Sequence, residues 1–367
     1  MWVSVKEKSS GGRRPKKKIY HRVHELDRVM DLQKKPSLIL HLKSIIQSQK
    51  HQCLLLRDLE KQVGFVQKWN FMAVLEKYPS IFRVGGGSDR TPPFVTLTEK
   101  AIKIANQEHE ARESMEPILV RNLRKLLMMS VDCRVPLEKI EFIGNELGLP
   151  QGFKNSLIPK YPEYFSVKNV NGKAYLHLEN WDSSLAITAR EERLSLEGVS
   201  ASNPPKKKVR ISKDGNFLGP FAFRMRFPAG FRPNASYLEE LERWQRLEFP
   251  SPYLNARRFD AADPKARKRV VAVLHELLSL TIEKRMTSLQ LDAFHSESLL
   301  PSRLLLCLVK NPGIFYITNK GARSTVFLKE AYDGSNLIDK CPLLLFNDKF
   351  VALSGRRESN FCNEMRF

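Results

Sequence analysis

Cysteine is scarce in this chain of 367 residues. There are five, Cys53, Cys133, Cys307, Cys341 and Cys362, and the closest pair (341 and 362) lies 21 positions apart. That spacing excludes a C-x-x-C zinc ribbon, argues against a disulfide framework and points to a reducing compartment. Long hydrophobic runs are missing too. The longest apolar stretches, around "LLLRDL" and "LLPSRLLLCLV", are broken by charge or proline and fall short of the roughly 18 residues a membrane span needs. Catalytic signatures are also lacking: there is no G-x-x-x-x-G-K-(S/T), H-E-x-x-H, G-x-S-x-G or G-x-G-x-x-G. "GGGSD" at Gly85 falls in a predicted hairpin turn, with no helix start to hold a phosphate. His21 and His24 have no third ligand at a suitable spacing. Acid is in deficit, with 40 Asp+Glu against 61 Lys+Arg, a net charge of +21 and a pI near 9.8.

What is present follows from that charge. A chain this basic calls for a polyanionic partner, nucleic acid first. A basic amphipathic helix with an aromatic face, which a membrane surface would require, is not apparent. The apolar fraction of 42% suffices for buried cores. The start, "MWVSVKEKSSGGRRPKKKIYHR", has no apolar core for secretion; residues 1–18 are expected to be a basic arm or the remnant of an organelle transit peptide.

One pattern occurs three times: "KYPSIFRV" at Lys77, "KYPEYFSV" at Lys160 and "KNPGIFYI" at Lys310. Apolar residues precede each proline by four and five positions, and Phe82, Phe165 or Phe315 follows it by three. Upstream of each, leucine-rich stretches have helical spacing: 37–49, Met115 to Ser130, and Lys265 to Thr281. The proline stops the last helix. Two short strands follow around a turn, and in the second case Asn171-Gly172 is a strong hairpin signal. The expected fold is α+β, mainly α, with three diverged helix-helix-helix-β-hairpin (winged-helix-like) units near 37–100, 115–180 and 265–332. An irregular basic connector, 182–264, joins the second and third, and 351–367 is a tail. The repeated proline and phenylalanine are architectural. Lysines 77, 160 and 310 suit the negative end of a helix dipole and are also candidates for phosphate contact.

Candidate nucleic-acid contacts follow the charge. Lys16, Lys17, Lys18 and Arg22 lie in or beside the amino-terminal arm. Arg121, Arg124 and Lys125 fall within one third of a helix circumference, opposite Leu119, Leu123, Leu126 and Leu127, and predict a solvent-facing basic stripe. In the connector, Lys206, Lys207, Lys208 and Arg210 form a run ("PKKKVR") that also fits nuclear import. Arg224 and Arg226 alternate with Phe221, Phe223, Phe227 and Phe231, a pattern suited to stacking unpaired bases while guanidinium groups hold phosphate. At least half of those rings are expected to pin the connector to the core instead. Arg257, Arg258, Arg267, Lys268 and Arg269 follow, and Lys320 and Arg323 lie in the third hairpin.

Several blocks, in order, resemble the plant organelle RNA recognition (PORR) domain: "KKKIYHRVHELDRVMDLQKK", "LRKLLMMSVDCRVPLEKI", "GLPQGFKNSLIPKYPEYFSV", "LENWDSSLAI", "LHELLSLTIEKRMT" and "GIFYITNKGARSTVFLKEAY" followed by "LIDKCPL". The resemblance spans roughly 17–350, with the RNA-binding region taken as 19–350. It implies RNA binding in mitochondria or chloroplasts, often in group II intron splicing within ribonucleoprotein particles. It implies no catalytic residues and no cofactor, and it favours the mitochondrion. Splicing or RNA-processing proteins are the implied partners. Two other readings stay open: a nuclear winged-helix DNA-binding or adaptor protein, and a cysteine hydrolase.

Overall fold

A computed structural model describes residues 22–63, 71–87, 92–196, 223–227, 231–247, 250–260, 263–302 and 304–355. The chain begins with α1 (His24–Ser48), β1 (Cys53–Leu55), α2 (Leu56–Val63), α3 (Phe71–Lys77), β2 (Phe82–Gly85), β3 (Phe94–Leu97) and α4 (Glu99–Ala105). It continues with α5 (Glu108–Met129), β4 (Arg134–Pro136), α6 (Leu137–Phe142), α7 (Gly144–Leu147), α8 (Phe153–Ser156), β5 (Phe165–Val170) and β6 (Lys173–Leu178). Helices α9 (Ala189–Leu196) and α10 (Ala235–Arg246) follow. Then come α11 (Pro264–Leu280), β7 (Arg285–Thr287), α12 (Ser288–Asp292), α13 (Leu304–Lys310), β8 (Phe315–Thr318) and β9 (Thr325–Leu328). A two-stranded ribbon, β10 (Tyr332–Asp333) and β11 (Asn336–Leu337), precedes α14 (Pro342–Ala352).

The class is α+β, dominated by helix, with small antiparallel sheets. Three of these share one strand order, β1-β3-β2, β4-β6-β5 and β7-β9-β8, each with the last strand in the middle. The recurring Lys-x-Pro segments are the joints that set these sheets. The Phe82 N–H donates to the Tyr78 carbonyl, Phe165 to Tyr161 and Phe315 to Asn311, at 3.0, 3.1 and 3.0 Å. All three phenylalanines are buried. A second bond also recurs: Thr98 N–H to Ile81 O, Glu179 to Tyr164 and Lys329 to Ile314. The proline ends the helix, the carbonyl of the residue just before it turns the chain, and the ring fills the wedge beneath the hairpin.

The three-residue strands β1, β4 and β7 had no signal in the sequence, since three residues are too few to show alternation. Each follows a residue in left-handed conformation: Gln52, Cys133 or Lys284, with φ of 50, 51 and 53°. Two helices start earlier than their leucine periodicity suggests. Helix α1 begins at His24, carries Pro36 inside, and extends an acidic first turn (Glu25, Asp27) whose Leu26 and Val29 are buried. Helix α5 begins at Glu108. The expectation of an irregular connector over 182–264 is corrected by α9 and α10. Helix α10 is capped by Asn234, whose side chain accepts from the Tyr237 N–H at 2.8 Å.

Two cores result. The smaller joins the second half of α1 (Ile39, Leu42, Ile46) to α3, β3 and α4, and is closed by Phe346 and Phe350 of α14. The larger gathers the leucine faces of α5 and α11, both later sheets, and Phe223, Met225 and Leu241 from between them. Leu26 and Val29 belong to this second core, so α1 spans both.

Candidate nucleic-acid interface

The basic stripe expected on α5 does not face solvent as a stripe. Arg121 is exposed, and it borders a cavity of about 350 Å³ also lined by Arg193 and Lys284. Arg124 is mostly covered, 3.1 Å from Asp182 and with its guanidinium 4.1 Å from the Tyr164 ring centre. Lys125 is 2% exposed; it donates to the Ile187 carbonyl at 2.8 Å and pairs with Glu276 at 3.2 Å. The physical reason is that α5 is packed on two sides. Its leucines face one sheet, while α11 and the segment leading to α9 cover the side that a helical wheel assigns to water.

The start of α11 is divided in the same way. Arg267 is exposed. Lys268 is fully buried, donating to the carbonyls of Gln245 (3.0 Å) and Leu247 (2.5 Å) beside the Trp244 ring. Burial, with Arg190 adding, depresses its pKa to about 7. Arg269 is buried as well, donating to the Ser298 carbonyl at 3.1 Å, and burial holds its pKa near 10. Both side chains satisfy carbonyl groups where chain segments meet, and are withdrawn from any RNA surface.

The Arg/Phe segment is also largely structural. Phe223 is buried against Trp244 and His275, with ring centres 5.8 and 5.4 Å away. Phe227 stacks on Phe231 at 4.8 Å, and Phe231 meets Tyr237 edge-on at 5.8 Å. Arg226 donates to the Tyr332 carbonyl. Arg224 alone of that pair is exposed. Of the remaining candidates, Arg258 and Arg323 are exposed. Arg22, Arg257 and Lys320 are at the surface beside Asp27 (3.9 Å), Asp132 (3.1 Å) and Asp31 (2.6 Å). Exposed pairs of this kind contribute about 0–1 kcal/mol and leave the cation available to a phosphate. Lys16, Lys17, Lys18, Lys206, Lys207, Lys208, Arg210 and Phe221 lie outside the described residues. All three motif lysines, 77, 160 and 310, are exposed, and Lys160 also pairs with Glu116 at 2.9 Å, which raises its pKa.

One surface went unnoticed in the sequence. Tyr175 and His177 on β6 point away from buried Leu176, with ring centres 6.4 Å apart and both half-buried. Arg134 of β4 lies 5.4 Å from the Tyr175 ring, and Lys168 of β5 is directly opposite Tyr175 in register. Burial lowers the His177 pKa, helped by Lys168 and Arg134, so the ring is neutral near pH 7. Phe94 of β3 holds the matching position in the first sheet, paired with Leu55 and Gly85 as Tyr175 is with Pro136 and Lys168. Its ring sits over Gly85, where a Cβ would come within 2.7 Å of Cζ. The pattern "AYLHL" carried the alternation, but only pairing with β4 brings Arg134 beside it.

Two of the partly buried cysteines are shifted away from reactivity. Burial raises Cys307 to about 11 and also pushes Cys133 upward, the opposite of what a nucleophile requires. Among the described residues, no helix is long and apolar enough to cross a membrane.

The fold and surface define a strongly basic α+β scaffold, with three like-ordered small sheets and exposed cations that suit a polyanion. The plant organelle RNA recognition domain model matches residues 21–359, and the chain belongs to that family. It is 34% identical over 330 residues to Protein WHAT'S THIS FACTOR 1 homolog, chloroplastic, of Arabidopsis thaliana, covering 89% of this chain and 61% of that one. To Protein ROOT PRIMORDIUM DEFECTIVE 1 of Arabidopsis thaliana it is 33% identical over 369 residues, covering 95% and 85%. To Protein WHAT'S THIS FACTOR 9, mitochondrial, of the same plant it is 25% identical over 322 residues, covering 87% and 80%. The chain spans about three fifths of the length of the WHAT'S THIS FACTOR 1 relatives it matches. No solved structure matches it.

Proposed function

We propose that this protein is a non-enzymatic organellar RNA-binding factor that promotes group II intron splicing or RNA folding within a ribonucleoprotein particle. The observation that carries this reading is the family match across 21–359 on a chain with a net charge of +21. The RNA-binding region is 19–350, with 1–18 as a basic arm and 351–367 as a tail. Its three helix-and-hairpin units act as winged-helix-like modules that present cations from helix starts and hairpin turns. Arg121, Arg224, Arg258, Arg267 and Arg323, with surface-paired Arg22, Arg257 and Lys320, neutralise phosphates. The arm and the 206–210 run add to them. Released counterions then supply most of the affinity.

Full-length protein titrated with single-stranded and intron RNA over a range of salt tests this. Affinity falls steeply as salt rises; a flat response, or no binding at low salt, overturns it. The organelle in this reading is the mitochondrion, as the family resemblance implies, although three relatives carry chloroplastic names. A fluorescent fusion of the full chain decides between the two. A nuclear signal with dark organelles transfers the reading to a nuclear winged-helix protein imported through "PKKKVR".

A further inference from the structure

We propose that the outward face of the β4-β6-β5 sheet is a base-stacking site for an unpaired nucleotide of RNA, with Tyr175 as the stacking ring. The proposal rests on the RNA-binding reading above and names a subsite within it.

The three sheets provide an internal comparison. They share strand order and register, so the same outward position can be followed across all three. In the third sheet that position is Thr325, paired with Thr287 and Thr318. There the face is closed by the first turns of α1: the Tyr316 and Thr318 hydroxyls donate to Asp27 at 2.8 and 2.6 Å. In the first two sheets the position is aromatic: Phe94 and Tyr175, both half-buried. The covered third face carries rings as well, Tyr316 and Phe327, but both are buried, whereas Tyr175 is only half-buried.

The surroundings of Tyr175 suit a nucleotide. Tyr175 is half-buried beside Arg134 and is held by its neighbours, so stacking orders few further degrees of freedom. His177 lies beside it as a second flat, neutral ring. Among the described residues its Nε2 atom is buried without a hydrogen-bond partner. Arg134 and Lys168 flank the rings, held near Asp132 (3.3 Å) and Glu179 (2.7 Å) in surface pairs. Such pairs are weak enough for an arriving phosphate to compete for the cation. A base within an A-form duplex cannot reach this face, because its π-surfaces are already stacked; an unpaired base can.

The test uses the full chain with two fluorescent probes, a single-stranded oligouridylate and a blunt RNA duplex of equal length. Tyr175→Ala is expected to weaken oligouridylate binding roughly 5- to 150-fold, with duplex affinity and the salt slope unchanged because no cation is lost. Tyr175→Phe keeps wild-type affinity, since the ring remains. Ultraviolet crosslinking to oligouridylate places the adduct on the peptide that contains Tyr175. An unfolding midpoint matching wild type certifies Tyr175→Ala; if that variant unfolds, the crosslink and Tyr175→Phe decide. Wild-type affinity in a folded Tyr175→Ala, a Tyr175→Phe as weak as an alanine, or adducts confined to other peptides would overturn the stacking site. Wild-type protein that binds neither probe removes the RNA-binding reading itself, and this site with it.

Discussion

Lys125 and Glu276 stand at matching positions, each four residues before the end of its helix, and their side chains meet at 3.2 Å with almost no exposure. The correspondence continues in the backbone. Two residues beyond the end of α5, the Val131 N–H donates to Glu297 O; two beyond the end of α11, the Ile282 N–H donates to Glu146 O; both bonds are 2.8 Å. The second and third units are thus clasped reciprocally about the α5–α11 contact. Glu276 also accepts from the Tyr253 hydroxyl at 2.6 Å and from the Ala189 N–H at 2.9 Å.

Removing one partner of this pair strands several buried groups. Glu276→Ala is expected to cost about 3–5 kcal/mol in urea unfolding. The double variant Lys125→Met/Glu276→Leu should cost clearly less than the sum of its singles, because no charge is left unpaired. A single-variant loss below about 1 kcal/mol would mean that the clasp is solvated.

Lys268 gives stability a defined pH dependence. Its folded pKa of about 7 lies below its ordinary 10.5. Between those values the unfolded chain holds more protons than the folded one, so stability rises with pH. Below about pH 7 both states are protonated and the full penalty applies. The urea midpoint should increase from pH 7 to 9, and Lys268→Met should flatten much of that rise. Lys329, depressed by burial to about 8, accounts for a residual slope. Identical slopes in wild type and Lys268→Met would contradict the assignment.

Cys307 provides a check on the hydrolase alternative. With its thiol near 11, the thiolate fraction at pH 7.5 is roughly a thousandth or less. Iodoacetamide should therefore label Cys307 in folded protein far more slowly than in urea. Rapid labelling of the native chain at that pH would reopen the cysteine-nucleophile reading.

The division of cations into buried and exposed predicts distinct phenotypes. Arg258→Ala and Arg267→Ala should each lower the salt slope of single-stranded RNA binding by about 0.7 per lost phosphate contact, with stability unchanged. Lys125→Ala and Arg269→Ala should lower the unfolding midpoint and leave the salt slope of the folded fraction intact. A reduced slope from Arg269→Ala would show that it reaches RNA.

Much of the architecture was legible locally. Pro79, Pro162 and Pro312, each followed three residues later by a phenylalanine, marked the helix-to-hairpin joints, because a proline's effect on its neighbour and a ring's need for cover act within a few residues. The hairpin strands and the leucine faces of α5 and α11 were visible for the same reason. The third strand of each sheet was not, because its three residues are strands only through partners more than thirty positions away. Tyr175 as a surface ring beside Arg134 was hidden with it.

Charge, cysteine scarcity and the thrice-repeated joint were determined by the sequence itself: composition does not depend on folding, and a turn is set by its own backbone. Which cations face solvent was decided only by tertiary structure. The helical wheel gives Arg121 and Lys125 to one side, yet Lys125 lies against Glu276 and Arg121 lies in the open. A side chain's exposure is set by what packs against its helix, and the covering segments come from elsewhere in the chain.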